Sequence, residues 1–131
     1  MPVVEIFVRR GRTPEQIRAL TDAVHDALVE AYEVPREDRF QIVNQREPHE
    51  FVFDPHFMGG PRTDDFVLVR VTAGKPRSVQ AKRRFFELTA RHLAERTGIS
   101  AADVFVVVDN VTLGDLSLSH GRPFDVVLGE Q

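Results

Sequence analysis

The residue of this 131-residue chain best placed to do chemistry is the proline that follows the initiator methionine. A small second residue lets the methionine be removed, which would leave Pro2 with a free secondary amine. Such an amine is a nucleophile and a proton carrier, and its pKa responds to burial and to neighbouring charge. A nearby cation makes it a base; an exposed or carboxylate-lined site keeps it protonated, as an acid. Two cations, Lys75 and Arg77, stand just before Ser78, which opens a helical pattern. The positive end of a helix disfavours cations, so an anionic ligand that offsets them and accepts the free amides of the first turn fits there. Asp38 reads either as a site carboxylate or as a turn aspartate satisfying backbone amides. Asp103 holds the equivalent place 65 residues later, which favours a structural role for one of the two.

That equivalence belongs to an internal repeat. Val34-Pro35-Arg36-Glu37-Asp38-Arg39-Phe40-Gln41-Ile42-Val43 matches Ile99–Val108, with Val34 on Ile99, Phe40 on Phe105 and Val43 on Val108. Thr13-Pro14 opens one helical stretch and Ser78 another, preceded by the short β-like runs Val3–Val8 and Phe66–Val71. Thr13 is a good N-cap, Pro14 suits the first turn, and Ile17, Leu20, Val24, Leu28 and Ala31 form one apolar stripe. In the second stretch Phe85, Leu88, His92 or Leu93, and Ala94 trace a similar stripe, which Gly98 stops. Two fused β-α-β units, about 2–46 and 65–110, are therefore expected within a single domain spanning 1–131. Right-handed crossovers let the units pair into one four-stranded mixed sheet with two helices on one face, an α/β architecture. The other sheet face is left bare, and only partner subunits could cover it.

Composition narrows the function. With 42% hydrophobic and 28% charged residues the chain has the balance of a soluble globular protein, and Val104–Val108 is far too short to span a bilayer. A net charge of −3 gives no pull toward nucleic acid or anionic lipid. Zero cysteines exclude disulfides and thiol nucleophiles, and the strand-like start leaves no signal peptide, so a cytoplasmic protein is expected. Glu47–Asp65, rich in Pro and Gly, reads as an excursion with a short hairpin around Phe51–Phe53, and Val126–Leu128 as one more short strand. His49 and His56 flank Asp54 without metal-ligand spacing, and no metal is expected. His25 and His92 sit inside helices and read as packing or surface residues, while His120, beside Gly121-Arg122, could border a pocket through the tail. Lys82-Arg83-Arg84 reads as a solvated helix face, and Ser117 and Ser119 lack the surroundings of a hydrolase nucleophile.

Pro2 before a strand, the Gly11-Arg12-Thr13 turn and the doubled β-α-β pattern resemble the tautomerase superfamily. Within it the chain is most similar to the malonate semialdehyde decarboxylase group, whose subunits are fused repeats assembling as trimers. The likeness runs from Pro2 through Val34–Gln41 and Lys75-Pro76-Arg77-Ser78 to Gly121-Arg122. It implies Pro2 as the amino-terminal acid or base, Asp38 as the active-site aspartate, and Arg77 as the arginine that binds and polarises substrate. Lys75 stands where the family has the first arginine of an Arg-Pro-Arg pair, keeping the charge but losing the planar fork. Leu116-Ser117-Leu118 stands where the decarboxylase has a Trp-Ser-Phe wall, so Leu116 and Leu118 would give an apolar pocket of different shape.

The resemblance thus implies a homotrimeric enzyme that takes a small oxo acid, with its carboxylate toward Lys75 and Arg77, and needs no cofactor. A neutral Pro2 would tautomerise the acid; a protonated one would polarise the carbonyl while carbon dioxide leaves. A non-catalytic oligomeric binding module that keeps the fold is the third reading.

Overall fold

The computed structural model describes all of Met1–Gln131. Along β1 (Pro2–Arg9) burial alternates strictly: Pro2, Val4, Ile6 and Val8 are buried, while Val3, Glu5 and Phe7 are half-buried on the opposite side. That period of two is what a strand with one face on the core requires. α1 (Pro14–Tyr32) starts in a reciprocal cap, with the Gln16 amide donating to Thr13 Oγ1 (3.2 Å) and the Thr13 amide to Gln16 Oε1 (2.8 Å). After a turn in which the Asp38 amide donates to Pro35 O (3.0 Å), β2 (Gln41–Arg46) runs parallel to β1.

The second unit repeats this plan. β3 (Val67–Ala73) lies antiparallel to β1, α2 (Val79–Thr97) is capped by Ser78, and β4 (Val104–Asn110) runs parallel to β3. Gly98, at φ 76°, ends α2 in the left-handed region, where a residue without Cβ escapes the steric penalty. Both ends of α2 lie 65 residues beyond those of α1, the offset read in the sequence. The result is a four-stranded mixed sheet of order β2-β1-β3-β4.

Both long helices pack on one sheet face. Val4, Ile6 and Val8 pair in register with Val71, Val69 and Val67, and Leu20, Val24, Leu28, Phe85, Leu88 and Leu93 close over them as one cluster. Full burial of a Leu, Ile or Phe contributes about 1.5–3 kcal/mol. Two histidines enter this layer: His25 Nε2 meets Arg36 O at 2.7 Å, and His92 Nε2 meets Glu30 Oε1 at 3.0 Å. On the opposite face Ile42 and Phe105 are 55% and 47% exposed, and Arg70 pairs with Asp109 at 3.0 Å. No helix is long and apolar enough to cross a membrane.

Two local expectations are corrected. No hairpin forms around Phe51–Phe53; a single 3-10 turn at Pro48–Glu50 precedes irregular chain. There the Phe51 carbonyl accepts from the Arg9 guanidinium (2.9 Å), which also lies 4.5 Å over the Phe53 ring, so side chains replace a ladder. Phe51 and Phe53 both pack on Phe66, at 5.4 and 4.3 Å between centroids, rather than alternating. Val126–Leu128 is not a strand but part of a short helix, α3 (Phe124–Gly129), entered from Pro123. The spacing of Phe124, Val127 and Leu128 suits one helical face, and Val127 N–H reaches Pro123 O at 3.1 Å.

Candidate active site

The topology brings four chain segments to one end of the sheet. β1 and β2 are parallel, so Asp38, just ahead of β2, returns to the head of β1; the Val4 amide seals the approach by donating to Phe40 O (2.9 Å). β3 is antiparallel to β1, with Ala73 opposite Pro2, so the Gly74–Arg77 loop leaves the sheet beside the N-terminus. β4 follows β3 in parallel, and Val111 donates to Ala73 O (2.9 Å), which delivers the tail and Leu116 to the same corner.

At that corner the Met1 amine lies 3.7 Å from Asp38 Oδ2, and the Met1 side chain is only 4% exposed. The Met1 carbonyl accepts from the Gly74 amide at 2.8 Å. Burial pulls the amine below the ordinary α-amino range; Asp38 pushes it back up by charge and by hydrogen bonding, while Arg77 and, more weakly, Lys75 push it down. Gly74 matters because of space: a Cβ there would stand 3.0 Å from Leu116 Cδ1, 3.1 Å from Met1 O and 3.3 Å from Met1 Cβ.

Arg77 is held on two sides. Its Nη1 donates to Lys75 O at 2.8 Å, and its guanidinium lies 4.9 Å over the Tyr32 ring. Lys75 itself is exposed. Three buried polar atoms in this neighbourhood have no partner: Asp38 Oδ1, Arg77 Nε and Tyr32 Oη. Buried polar groups are almost always paired; the other three orphans, Arg9 Nε, Asn44 Nδ2 and His92 Nδ1, are scattered, whereas these three share one corner and leave it open to a ligand's polar atoms.

The structure thus gathers the head of β1, Asp38, Lys75, Arg77 and Leu116. Leu118 stands apart, lining a hollow of about 180 Å³ with Ser119, His120, Arg122, Phe124 and Val127. No group of three metal-ligating side chains is assembled anywhere in the chain. Gly74 and Tyr32 were missed in the sequence. The signals were a glycine at the end of β3 and the chain's single tyrosine, closing the apolar stripe of α1.

The opposite end of the sheet carries the repeat's counterpart. Arg10 and Arg12 follow β1 as Lys75 and Arg77 follow β3, and Asp103 precedes β4 as Asp38 precedes β2. Here Phe66-Val67 stands in the place of Met1-Pro2, so the position holds a peptide bond instead of an amine. The charges are already engaged. Asp103 accepts from the Thr63 amide and hydroxyl, both at 2.6 Å; Arg10 pairs with Glu47 at 2.8 Å and Arg12 with Asp65 at 3.3 Å. A cleft of about 580 Å³ lies there, lined by Arg9, Arg12, Glu15, Asp64, Asp65 and Arg96 among others. Its charged groups face carboxylates of the same chain: Arg9 pairs with Asp64, Arg12 with Asp65 and Arg96 with Asp26.

The doubled β-α-β fold with its four-stranded mixed sheet defines a class, and comparison with known proteins agrees. Two models of the tautomerase enzyme family match, one over residues 38–119 and the other over 2–59. The chain belongs to the tautomerase family. Among curated relatives, the probable tautomerases YusQ and YrdN of Bacillus subtilis (strain 168) are 30% and 32% identical over 93% of this chain, and over 96% and 94% of their own lengths. Among solved structures, malonate semialdehyde decarboxylase superposes with a TM-score of 0.91 at 35% identity, covering 98% of both chains. The FG41 malonate semialdehyde decarboxylase inhibited by 3-bromopropiolate gives 0.89 at 32% identity, covering 98% of this chain and 97% of that one.

Proposed function

We propose that this chain is an amino-terminal-proline enzyme that interconverts the keto and enol forms of a small oxo acid. The observation that carries the reading is the half-buried Met1 amine just ahead of Pro2, 3.7 Å from Asp38 and within the field of Arg77 and Lys75. Removal of Met1 frees the Pro2 nitrogen, which is otherwise a tertiary amide without basicity, and vacates the hollow that the Met1 side chain fills. Around the Met1 amine, burial favours the neutral form, Asp38 opposes it, and Arg77 and Lys75 reinforce it; the same surroundings would favour a freed Pro2 amine as a base. That base takes the proton alpha to the carbonyl of the substrate, Arg77 stabilises the enolate oxygen as charge develops, and the protonated amine returns the proton to the other terminus. Lys75 receives the carboxylate, Leu116 walls the pocket, and Asp38 bonds the substrate's polar end.

A second reading, decarboxylation of malonate semialdehyde, uses the same residues with Pro2 protonated. The TM-score of 0.91 to malonate semialdehyde decarboxylase favours it. The exposed Ile42 and Phe105 on the uncovered sheet face support covering by partner subunits, in a homotrimer on this reading. A fused 4-OT, a symmetric trimer, shares the fold at TM-score 0.80 and 19% identity.

The test is intact mass followed by turnover of phenylenolpyruvate and of malonate semialdehyde, on wild type and on Pro2→Ala. A mass without methionine, turnover of one substrate, and a loss of about 10²-fold or more in Pro2→Ala are expected. Full activity in Pro2→Ala removes Pro2 from the mechanism. Retained methionine with neither activity leaves a non-catalytic binding module.

A further inference from the structure

Tyr32, the last residue of α1, is 5% exposed, yet its hydroxyl has no hydrogen-bond partner. A phenylalanine would pack the same ring against Phe85, 5.3 Å away, without an unpaired polar atom costing about 1–3 kcal/mol. The corresponding position of the second repeat is Thr97, and there the hydroxyl is satisfied, donating to Leu93 O. Of the two equivalent hydroxyls, only the one at the end where the N-terminus, Asp38 and Arg77 meet is left unpaired.

The unpaired atoms at that end have complementary needs. Tyr32 Oη–H and Arg77 Nε–H are donors on two stacked groups, and Asp38 Oδ1 is an acceptor. A ligand that satisfies all three brings at least one oxygen acceptor to the Tyr32–Arg77 pair and a hydroxyl donor to Asp38. An oxo acid in its enol form carries both.

We propose that Tyr32 is a substrate-binding residue of this site, its ring seating the Arg77 guanidinium and its hydroxyl donating to an oxygen of the bound oxo acid. The assignment rests on the oxo-acid reading above. Burial holds the phenol above its ordinary range, with Arg77 opposing, so it stays a proton donor at neutral pH. The hydroxyl and the Arg77 guanidinium then share the substrate's developing negative charge, and the selectivity that follows is for an oxygen, rather than a methyl or hydrogen, at that point of the substrate.

Methionine-free wild type, Tyr32→Phe and Tyr32→Leu are compared by thermal melting, by kcat and KM on phenylenolpyruvate and malonate semialdehyde, and by the melting shift that malonate produces. Tyr32→Phe is expected to melt no lower than wild type and to lose roughly tenfold or more in kcat/KM, as removal of one charge-assisted hydrogen bond does. Tyr32→Leu, which also removes the seat of Arg77, is expected to raise KM further. Wild-type kcat/KM in Tyr32→Phe overturns the proposal while leaving the oxo-acid reading intact. A clear drop in its melting temperature also overturns it, because the hydroxyl then has a partner within the fold. A wild type that turns over neither substrate and shows no shift with malonate brings down the oxo-acid reading and this assignment together.

Discussion

The two repeat-related aspartates should respond to mutation in opposite ways. Asp103 is 1% exposed and accepts two hydrogen bonds at 2.6 Å from Thr63, anchoring the end of the excursion to the start of β4. Hydrogen bonds to a charged group contribute about 1.5–3 kcal/mol each. Removing an unneeded charge from the interior returns part of that, so Asp103→Ala should lose about 3 kcal/mol. At roughly 3–5 °C per kcal/mol for a chain of this size, the melting temperature falls by about 10 °C. Asp38 has one oxygen unpaired and the other 3.7 Å from the terminal amine, at 17% side-chain exposure. Asp38→Asn should therefore cost less than about 1 kcal/mol of stability while lowering kcat by about 10²-fold. Urea midpoints at one fixed protein concentration, with kcat per folded molecule, separate the two effects; fixed concentration matters because association shifts apparent stability. An Asp103→Ala unfolding free energy within about 0.5 kcal/mol of wild type would refute the reasoning, as would an Asp38→Asn variant equally unstable.

Burial lowers the pKa of the terminal amine, Asp38 raises it, and Arg77 and Lys75 lower it further. With the Pro2 amine in those surroundings as the base, Lys75→Ala should move the acid limb of the kcat/KM profile to higher pH, and Asp38→Asn should move the residual activity's limb to lower pH. Opposite signs would show that the charges act on some other group. Gly74→Val, whose Cβ would crowd Leu116 and Met1 at 3.0–3.3 Å, should lower activity at least tenfold and slow methionine removal, read by intact mass. Lys75→Arg restores a planar fork at the carboxylate subsite and should lower KM for malonate semialdehyde severalfold; an unchanged KM would place the carboxylate elsewhere.

Much of the fold was legible because it is written twice. The match of Val34–Val43 to Ile99–Val108 and the two caps at Thr13 and Ser78 set the offset that the two helices then follow. Asp38, Lys75 and Arg77 were legible as candidates because charge at a strand entry or helix start asks for a partner. Tyr32 was not, since an aromatic ending an apolar helical stripe looks like core until its hydroxyl is seen to lack a partner. Gly74 was hidden too, because its role is the absence of a side chain where the tail crosses the N-terminus. The Phe51–Phe53 hairpin failed for a different reason: alternation of Phe and Val mimics a strand, but Arg9 takes the carbonyl a ladder would use. In the tail, three apolar residues in a row fit a strand or a helical turn equally, and Pro123 decided for the turn.

Duplication can copy side chains, but not a chain end. Arg10, Arg12 and Asp103 reproduce the charges that surround the N-terminus, and Val67 occupies the place of Pro2, yet that position lies inside a continuous backbone. Fusing two units therefore yields one amine per chain, however faithful the copy. In the duplicate half the charges meet partners of the same chain: Thr63 occupies Asp103, Asp65 occupies Arg12, and Glu47 occupies Arg10. A second working end would require a second terminus, made by cutting the chain ahead of Val67, rather than any further change of side chains.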